Sequence, residues 1–485
     1  MGLLLLQGAS DLNPRELFAS GEQGLWLDPS QMSTLYQDSN GVTPCTAAGD
    51  PVGLILDQSR GGLSQIGADL VTNGTFASDT VWTKGANWTI GSGVATKTGG
   101  AANNLTQTIT STAGLWYRIT IDVTRTAGTL TVSLGTSGTT RAISADGSYT
   151  FYILAGSSTQ TLTLAGDSAF AGTVDNVTAR LVPGNHAYQT TSGSRPLLAR
   201  TPDGGRRNLL TGTDAMATQS LTVLAVQHTL SFQGTGTVAL SEALTSGLLV
   251  GTGAANIVSL TFTPTAGSLT LTVTGTVQLA QLETGASRTA YQKVGLTSDV
   301  TESGKRDCWG LLFDGSDDFL QTASVDFSAT DKMTVMAGVR KSSDAAAGMI
   351  VELGSSSAAG SFSFLAPNSV SPNGDYYFRS RGTGSSNATS AKSAPTTDVL
   401  SGIGDISGDI SSLRINGAVA ATSTADQGTG NYTNNALYIG SRGGSSLRFN
   451  GIIYSLIIRG ASTPTGTIAD FERNLLRLRA GLGPF

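Results

Sequence analysis

Residues 184–199 read GNHAYQTTSGSRPLLA. The stretch opens on a turn dipeptide, Gly184-Asn185, and runs through polar residues to Arg195-Pro196. The residues before it are Thr-rich alternating segments separated by Gly-rich turns, and none of them leads into it. Where this stretch belongs decides how the chain divides into domains.

Alternation is the dominant signal on both sides of it. In LWYRITIDVTR (115–125), Leu115, Tyr117, Ile119, Ile121 and Val123 share one face, and Trp116, Arg118, Thr120, Asp122 and Thr124 share the other. That period of two is a half-buried strand. GTLTVSLG (128–135), YTFYILAG (149–156) and TQTLTLAG (159–166) read the same way, and short strands at this spacing predict a β-sandwich. A second set spans roughly 206–296. It begins LLTGTDA (209–215) and ends GTVQLAQL (275–282), where the first begins LVTNGTF (70–76) and ends GTVDNVTA (172–179), so the two read as related modules. A third region, 306–485, has strands of its own. Its NGIIYSLIIRG (450–460) is apolar at nearly every position, as in a central strand buried on both faces. Helix is predicted only at the edges. Asn13-Pro14 suits a cap and first turn before RELFA. TIADFERNLLRLRAG (467–481) carries Ile468, Phe471, Leu475 and Leu478 on one face, Thr467 as cap, and Arg473, Arg477 and Arg479 toward its end.

Composition agrees with an all-β chain. The 485 residues predict about three domains. Charged residues are 13% and glycines number 62, which favours strands and tight turns. A net charge of −5 argues against a nucleic-acid partner, which requires clustered Lys and Arg. No apolar run approaches the roughly 20 residues of a membrane span, so no membrane insertion is expected. GLLLL (2–6) is too short for a signal-peptide core and has no basic residue ahead of it, which predicts synthesis and folding in the cytosol. Cys45 and Cys308, the only cysteines, make neither a disulfide framework nor a zinc site.

Four phrases in fixed order now place the opening stretch. They are GLWLDPSQMSTLYQDSNGVTP (24–44), LILDQSR (54–60), GNHAYQTTSGSRPLLA (184–199) and LLFDGSDDFL (311–320). Their order resembles the concanavalin A-like, or laminin G-like, sandwich of phage and prophage structural proteins. The pattern stops after Arg60, resumes at Gly184, stops again near Arg200 and resumes near Cys308. Residues 184–199 therefore continue residues 54–60. The resemblance implies three β-sandwich, jelly-roll modules: a laminin G-like domain (1–62, 184–200 and 306–485, with the C-terminal helix) interrupted by inserted sandwiches at 63–183 and 201–305. Insertion into a loop is thermodynamically mild, since doubling a flexible loop costs only about 0.6 kcal/mol. The first insert resembles carbohydrate-binding-module-like jelly rolls. The second resembles modules that close on QLETGASRTAY (281–291).

Little in the sequence supports catalysis. His186 and His228 are the only histidines, too few for His-ligand clusters or Ser–His–Asp triads. His228 shares a face with Leu230 and Phe232, the pattern of a core or edge residue. The E-x-D-x-E phrase of sandwich glucanases is absent, so the resemblance brings no activity with it. DGSDD (314–318) offers Asp314, Asp317 and Asp318 to calcium, although Asp and Gly are equally the residues of a tight turn. No other cofactor is expected. Aromatics remain. Trp82, Trp88 and Trp116 lie in the first insert, and Trp116 shares its strand face with Arg118 and Asp122. Sugars stack on flat rings while polar groups hold their hydroxyls, so these five residues are the glycan-binding candidates. The other reading of Trp116 is packing against a neighbouring module, sheet or subunit, the ordinary use of a large aromatic in a multidomain sandwich. Trp26 and Trp309 are expected in the laminin G-like core or its subunit contacts.

The resemblance implies a non-enzymatic phage virion protein, assembled in the bacterial cytoplasm as a homo-oligomer, by analogy a trimer. It would act as a tail-tip or fibre receptor-binding component on host-surface polysaccharide, among other virion proteins. The alternatives are a capsid decoration or head-fibre protein and an envelope-polysaccharide depolymerase.

Overall fold

In a computed structural model, residues 12–136, 138–156, 160–244, 247–368 and 374–485 are described. The GLLLL stretch lies outside them. Among the described residues the regular secondary structure is nearly all β-strand, arranged in three sandwiches.

The largest has a ten-stranded and a nine-stranded sheet. Strands of distant sequence meet in it. Gly24–Leu27 pairs with Asn450–Arg459, Leu197–Pro202 with Asp307–Asp314, and Ala187–Tyr188 with both Leu54–Ile55 and Leu320–Asp326. Asn450–Arg459 also pairs with Lys332–Lys341 and is buried at every position after Asn450, because it is covered on both faces. The inner faces carry the expected alternation of large apolar residues, with Phe364 and Phe378 edge to face at 5.4 Å. On the far side of the ten-stranded sheet lies the C-terminal helix, whose Ile468, Phe471, Leu475 and Leu476 pack on Met336, Val399 and Ile457.

That helix differs from the prediction in two respects. It starts at Thr465 after Pro464, with no side-chain cap, so Thr467 is not the cap. Its middle, Glu472–Leu476, is a π-helical turn. The wider turn moves the register by one, so Leu476 is buried in place of Leu478. It also turns Glu472 inward, where the buried carboxylate meets Arg414 at 2.8 Å and accepts from Ser401 Oγ.

The segments flanking the first insertion meet at one seam. Asp57 is fully buried, and its carboxylate accepts from the amides of Trp26, Ser59 and Asn185 and from Ser59 Oγ. The Asp57 amide in turn donates to Nδ1 of His186 at 2.9 Å. Gly184 has φ +131°, and a Cβ there would lie 2.9 Å from the Asp57 carboxylate, so glycine is required at this turn. The two ends of the first insertion are thus stitched side chain to backbone.

The first inserted sandwich has two five-stranded sheets around its own core, which includes Tyr117, Ile119, Ile121 and Val123. The second has a four- and a three-stranded sheet around Leu230, Phe232, Leu271 and Leu282. Its closing phrase is a lock: Glu283 accepts from the Thr289 amide and hydroxyl, Gln281 accepts from the Gln292 amide, and the Tyr291 hydroxyl meets Thr213 at 2.6 Å. Gln292–Leu296 and Asp299–Glu302 extend the ten-stranded sheet of the large sandwich, although the sequence pattern places them in the second insert. Thr-rich alternation is the same in both sandwiches, so pattern alone does not assign an edge strand to its sheet.

Candidate functional site

The three tryptophans proposed as sugar platforms are interior. Trp82 is 6% exposed, packs on Phe76 and donates its Nε1 to the Asn73 carbonyl. Trp88 is 4% exposed, faces Phe170 and donates to the Asn103 carbonyl. Trp116 is 1% exposed. It does lie on the strand face opposite to its module's core, but that face is covered. Its ring meets Tyr188 at 5.2 Å and His186 at 6.0 Å, within a small cluster with Leu54, Leu56, Tyr152 and Val182. A ring sealed between two sandwiches has no face to offer a sugar, so none of the three is a stacking platform. Asp122 is engaged as well: bonds from Ser148 and then Asn176 hold its carboxyl below the usual range.

Arg118 stands beside this seam, partly buried, at a corner between the first sandwich and the outer face of the nine-stranded sheet. The corner is rich in tyrosine. The Tyr36 and Tyr152 hydroxyls are 2.9 Å apart. Burial raises the pKa of both; the Arg118 charge opposes the rise. Asn40 ties its side chain and its carbonyl to the backbone of Tyr152, which fixes the two sandwiches relative to one another here.

From this corner a row of side chains crosses the outer face of the nine-stranded sheet. The registers pair Tyr188 with Gln321, Gln321 with Tyr438, and Tyr438 with Glu352. They continue through Ser363 to Arg379 and Asn387. Alternation dictates this: Leu320, Leu437, Ile439, Phe364 and Phe378 point into the core, so their neighbours point out. Tyr188, Gln321, Tyr438 and Arg379 are half-buried and Asn387 is exposed, whereas Glu352 and Ser363 in the middle of the row are buried. The far end is ordered in advance. Arg379 lies over the Tyr377 ring at 5.4 Å, and its Nε donates to the Tyr377 hydroxyl and to Asn387 Oδ1. Glu352 is buried, which raises its pKa, and pairs with Arg442 at 3.1 Å, which opposes the rise. Half-exposed tyrosines flanked by amides and guanidinium groups are what a sugar surface requires: apolar faces for C–H groups, and fixed donors and acceptors for hydroxyls. Single-sequence reasoning missed this row because each member comes from a different strand. The one available signal was a polar or aromatic residue beside core residues in otherwise apolar strands, as at Gln321, Glu352 and Tyr438.

The three carboxylates of DGSDD do converge, with ligand oxygens within 4.8 Å of one another. Burial first, and then the charges of Asp314 and Asp317, push Asp318 up to about 7. Each acid already spends one oxygen: Asp314 on the Ser316 amide, Asp318 on the Asp314 amide and Asp317 on Ser194 Oγ. These are the contacts of a tight turn, and the three carboxylates supply only part of the six to eight oxygens that calcium takes, the rest falling to backbone carbonyls or water. His186 is a fully buried acceptor, and burial lowers its pKa to about 3. His228 is buried against Phe262, and its Nδ1 is 2.7 Å from the Val226 carbonyl. Among the described residues no helix is long and apolar enough to cross a membrane.

Residues 314–461 match the concanavalin A-like lectin/glucanases superfamily, by its laminin G-type model. The large sandwich is therefore concanavalin A-like. No curated protein matches the sequence. Among solved structures, the CBM40 of Ruminococcus gnavus IT-sialidase, bound to alpha2,3 sialyllactose, is 13% identical. It covers 33% of this chain and 94% of its own, with a TM-score of 0.25. The receptor binding domain of botulinum neurotoxin C/D mosaic serotype is 12% identical. It covers 34% of this chain and 42% of its own, with a TM-score of 0.27.

Proposed function

We propose that this protein is a non-enzymatic glycan-binding protein, acting as a receptor-binding component of a bacteriophage tail tip or fibre. In this reading it assembles in the bacterial cytoplasm as a homo-oligomer among other virion proteins and contacts polysaccharide of the host envelope. The row from Tyr188 to Asn387 on the outer face of the nine-stranded sheet carries the binding part of the proposal. The match of residues 314–461 to a lectin and glucanase superfamily supports it. The binding reading is preferred to the glucanase one because Glu352, the acid within the row, is buried in an ion pair with Arg442 and so is not free to act as a general acid or nucleophile. The virion role rests on the order of the four sequence phrases. Several weak sites on linked copies would give avidity without a deep pocket.

The test is binding of the purified chain to a panel of bacterial envelope polysaccharides, with Tyr188→Ala and Tyr438→Ala alongside, and competition with phage adsorption. Binding that both variants weaken at least tenfold is expected. Binding indifferent to both variants, or release of new reducing ends from the polysaccharide, overturns the proposal. Polysaccharide binding without competition retains the lectin reading and leaves capsid decoration as the better virion role.

A further inference from the structure

Two arginines on the outer face of the first sandwich have no acid. The strands Trp116–Ala127 and Ala171–Val182 set Arg118 directly opposite Arg180, with Tyr152 opposite Arg118 on its other side. Directly opposed residues on antiparallel strands lie about 4.5–5.5 Å apart at Cβ, where like charges are unfavourable. Neither guanidinium has a hydrogen bond or an ion pair among the described residues, and Nε of Arg118 is buried without a partner. The nearby acids make no ion pair with them: Asp122 accepts from Ser148 and Asn176, and Asp69, the backbone bridge partner of Arg180, spends Oδ1 on the amides of Val71 and Ala179. In a chain with 34 acidic against 29 basic side chains, this pairing is no product of scarce carboxylates. Arg118 acts electrostatically on both Tyr36 and Tyr152, so its charge is felt inside the corner that begins the tyrosine row.

Resting on the glycan reading above, we propose that this corner selects a sugar residue that carries a carboxylate, such as a uronate. Arg118 and Arg180 would take the carboxylate, and the half-buried Tyr36 would border the ring. Guanidinium groups suit the task because their planar forks match carboxylate geometry in two parallel hydrogen bonds. An anion held by the terminal nitrogens would also relieve the opposed charges. The ligand thereby completes an arrangement that the protein alone leaves unbalanced.

The experiment is calorimetry of the full chain with three uronate polymers (polygalacturonate, alginate, hyaluronan), the carboxyl-reduced form of any that binds, and neutral dextran. Binding of at least one uronate polymer is expected, weakened tenfold or more by carboxyl reduction and by Arg118→Gln or Arg180→Gln. Thermal unfolding supplies a second readout. Because Arg118→Gln removes an opposed charge, its Tm should hold or rise, whereas a merely structural arginine would lower it. Equal binding of the carboxyl-reduced polymer, unchanged binding by both variants, or failure of all three polymers overturns the proposal. If a neutral polymer binds and Tyr188→Ala abolishes that binding, the acid selectivity fails and the glycan reading stands. If none of these polymers binds, the acid selectivity fails, and the panel of envelope polysaccharides decides the glycan reading separately.

Discussion

Replacing Trp116 distinguishes a seam residue from a ligand platform. The ring is 1% exposed and lies outside its module's own core, against Tyr188, Leu54 and Leu56 of the large sandwich. A buried tryptophan removes roughly 150–250 Å² from water, which at about 25 cal/mol per Å² corresponds to about 4–6 kcal/mol. Alanine keeps part of that contact, and large-to-small changes of this kind cost about 3–5 kcal/mol. Nε1 of Trp116 is buried with no hydrogen-bond partner, a penalty of about 1–3 kcal/mol that phenylalanine would not carry. Trp116→Phe should therefore stay within about 1 kcal/mol of the parent, while Trp116→Ala loses about 3–5 kcal/mol. The loss should fall on the attachment of the first sandwich. Denaturant unfolding followed by circular dichroism should show an early transition in Trp116→Ala. Limited proteolysis should cut the connectors near Gly61–Gly62 and Pro183–Gly184. An unchanged midpoint with unchanged protease resistance refutes the reasoning. So does a variant of parental stability that has lost glycan binding, because that outcome requires an accessible ring.

Three further outcomes follow from buried charge. His186 has a native pKa of about 3 against an ordinary value of 6.5, so the unfolded state binds the proton more readily between those values. Stability then falls as pH drops below 6.5, by up to about 1.4 kcal/mol per pH unit. His186→Asn keeps an acceptor for the Asp57 amide and should flatten that acid limb; identical pH profiles for the two proteins refute this. Asp318 is pushed up to about 7, so its ionisation costs stability as pH rises from about 4 toward 7. Asp318→Asn should raise stability at pH 8 in chelator by roughly 2–4 kcal/mol, and a loss there means the carboxylate is needed. Arg414→Met strands the buried Glu472 and should cost about 3–5 kcal/mol, whereas the double variant Arg414→Met with Glu472→Gln should recover most of it. A double variant no more stable than the single one shows that packing, not charge, is what Arg414 supplies.

Local pattern carried most of the fold. Period-two alternation is set within single strands, so the strand around Trp116–Ala127, the buried Asn450–Arg459 and the Asn13 cap before Pro14 were all legible in advance. The helix cap and the π-turn were not, since both depend on how the helix seats on Met336 and Ile457. Gln292–Leu296 and Asp299–Glu302 show the same limit for strands, because an edge strand joins whichever sheet has an open neighbour.

The site divides the same way. Sequence established that Trp116 shares a face with Arg118, since neighbouring side chains alternate whatever the fold. Whether that face meets water or another sandwich depends on the geometry of the insertion, which hydrogen bonds between residues more than a hundred positions apart determine. The row from Tyr188 to Asn387 and the opposed Arg118 and Arg180 exist only through register between strands distant in sequence. Thus the sequence by itself determined which residues turn inward or outward on each strand. The tertiary structure alone decided which outward faces are buried between sandwiches and which remain open to a ligand, because that depends on long-range pairing that no local pattern encodes.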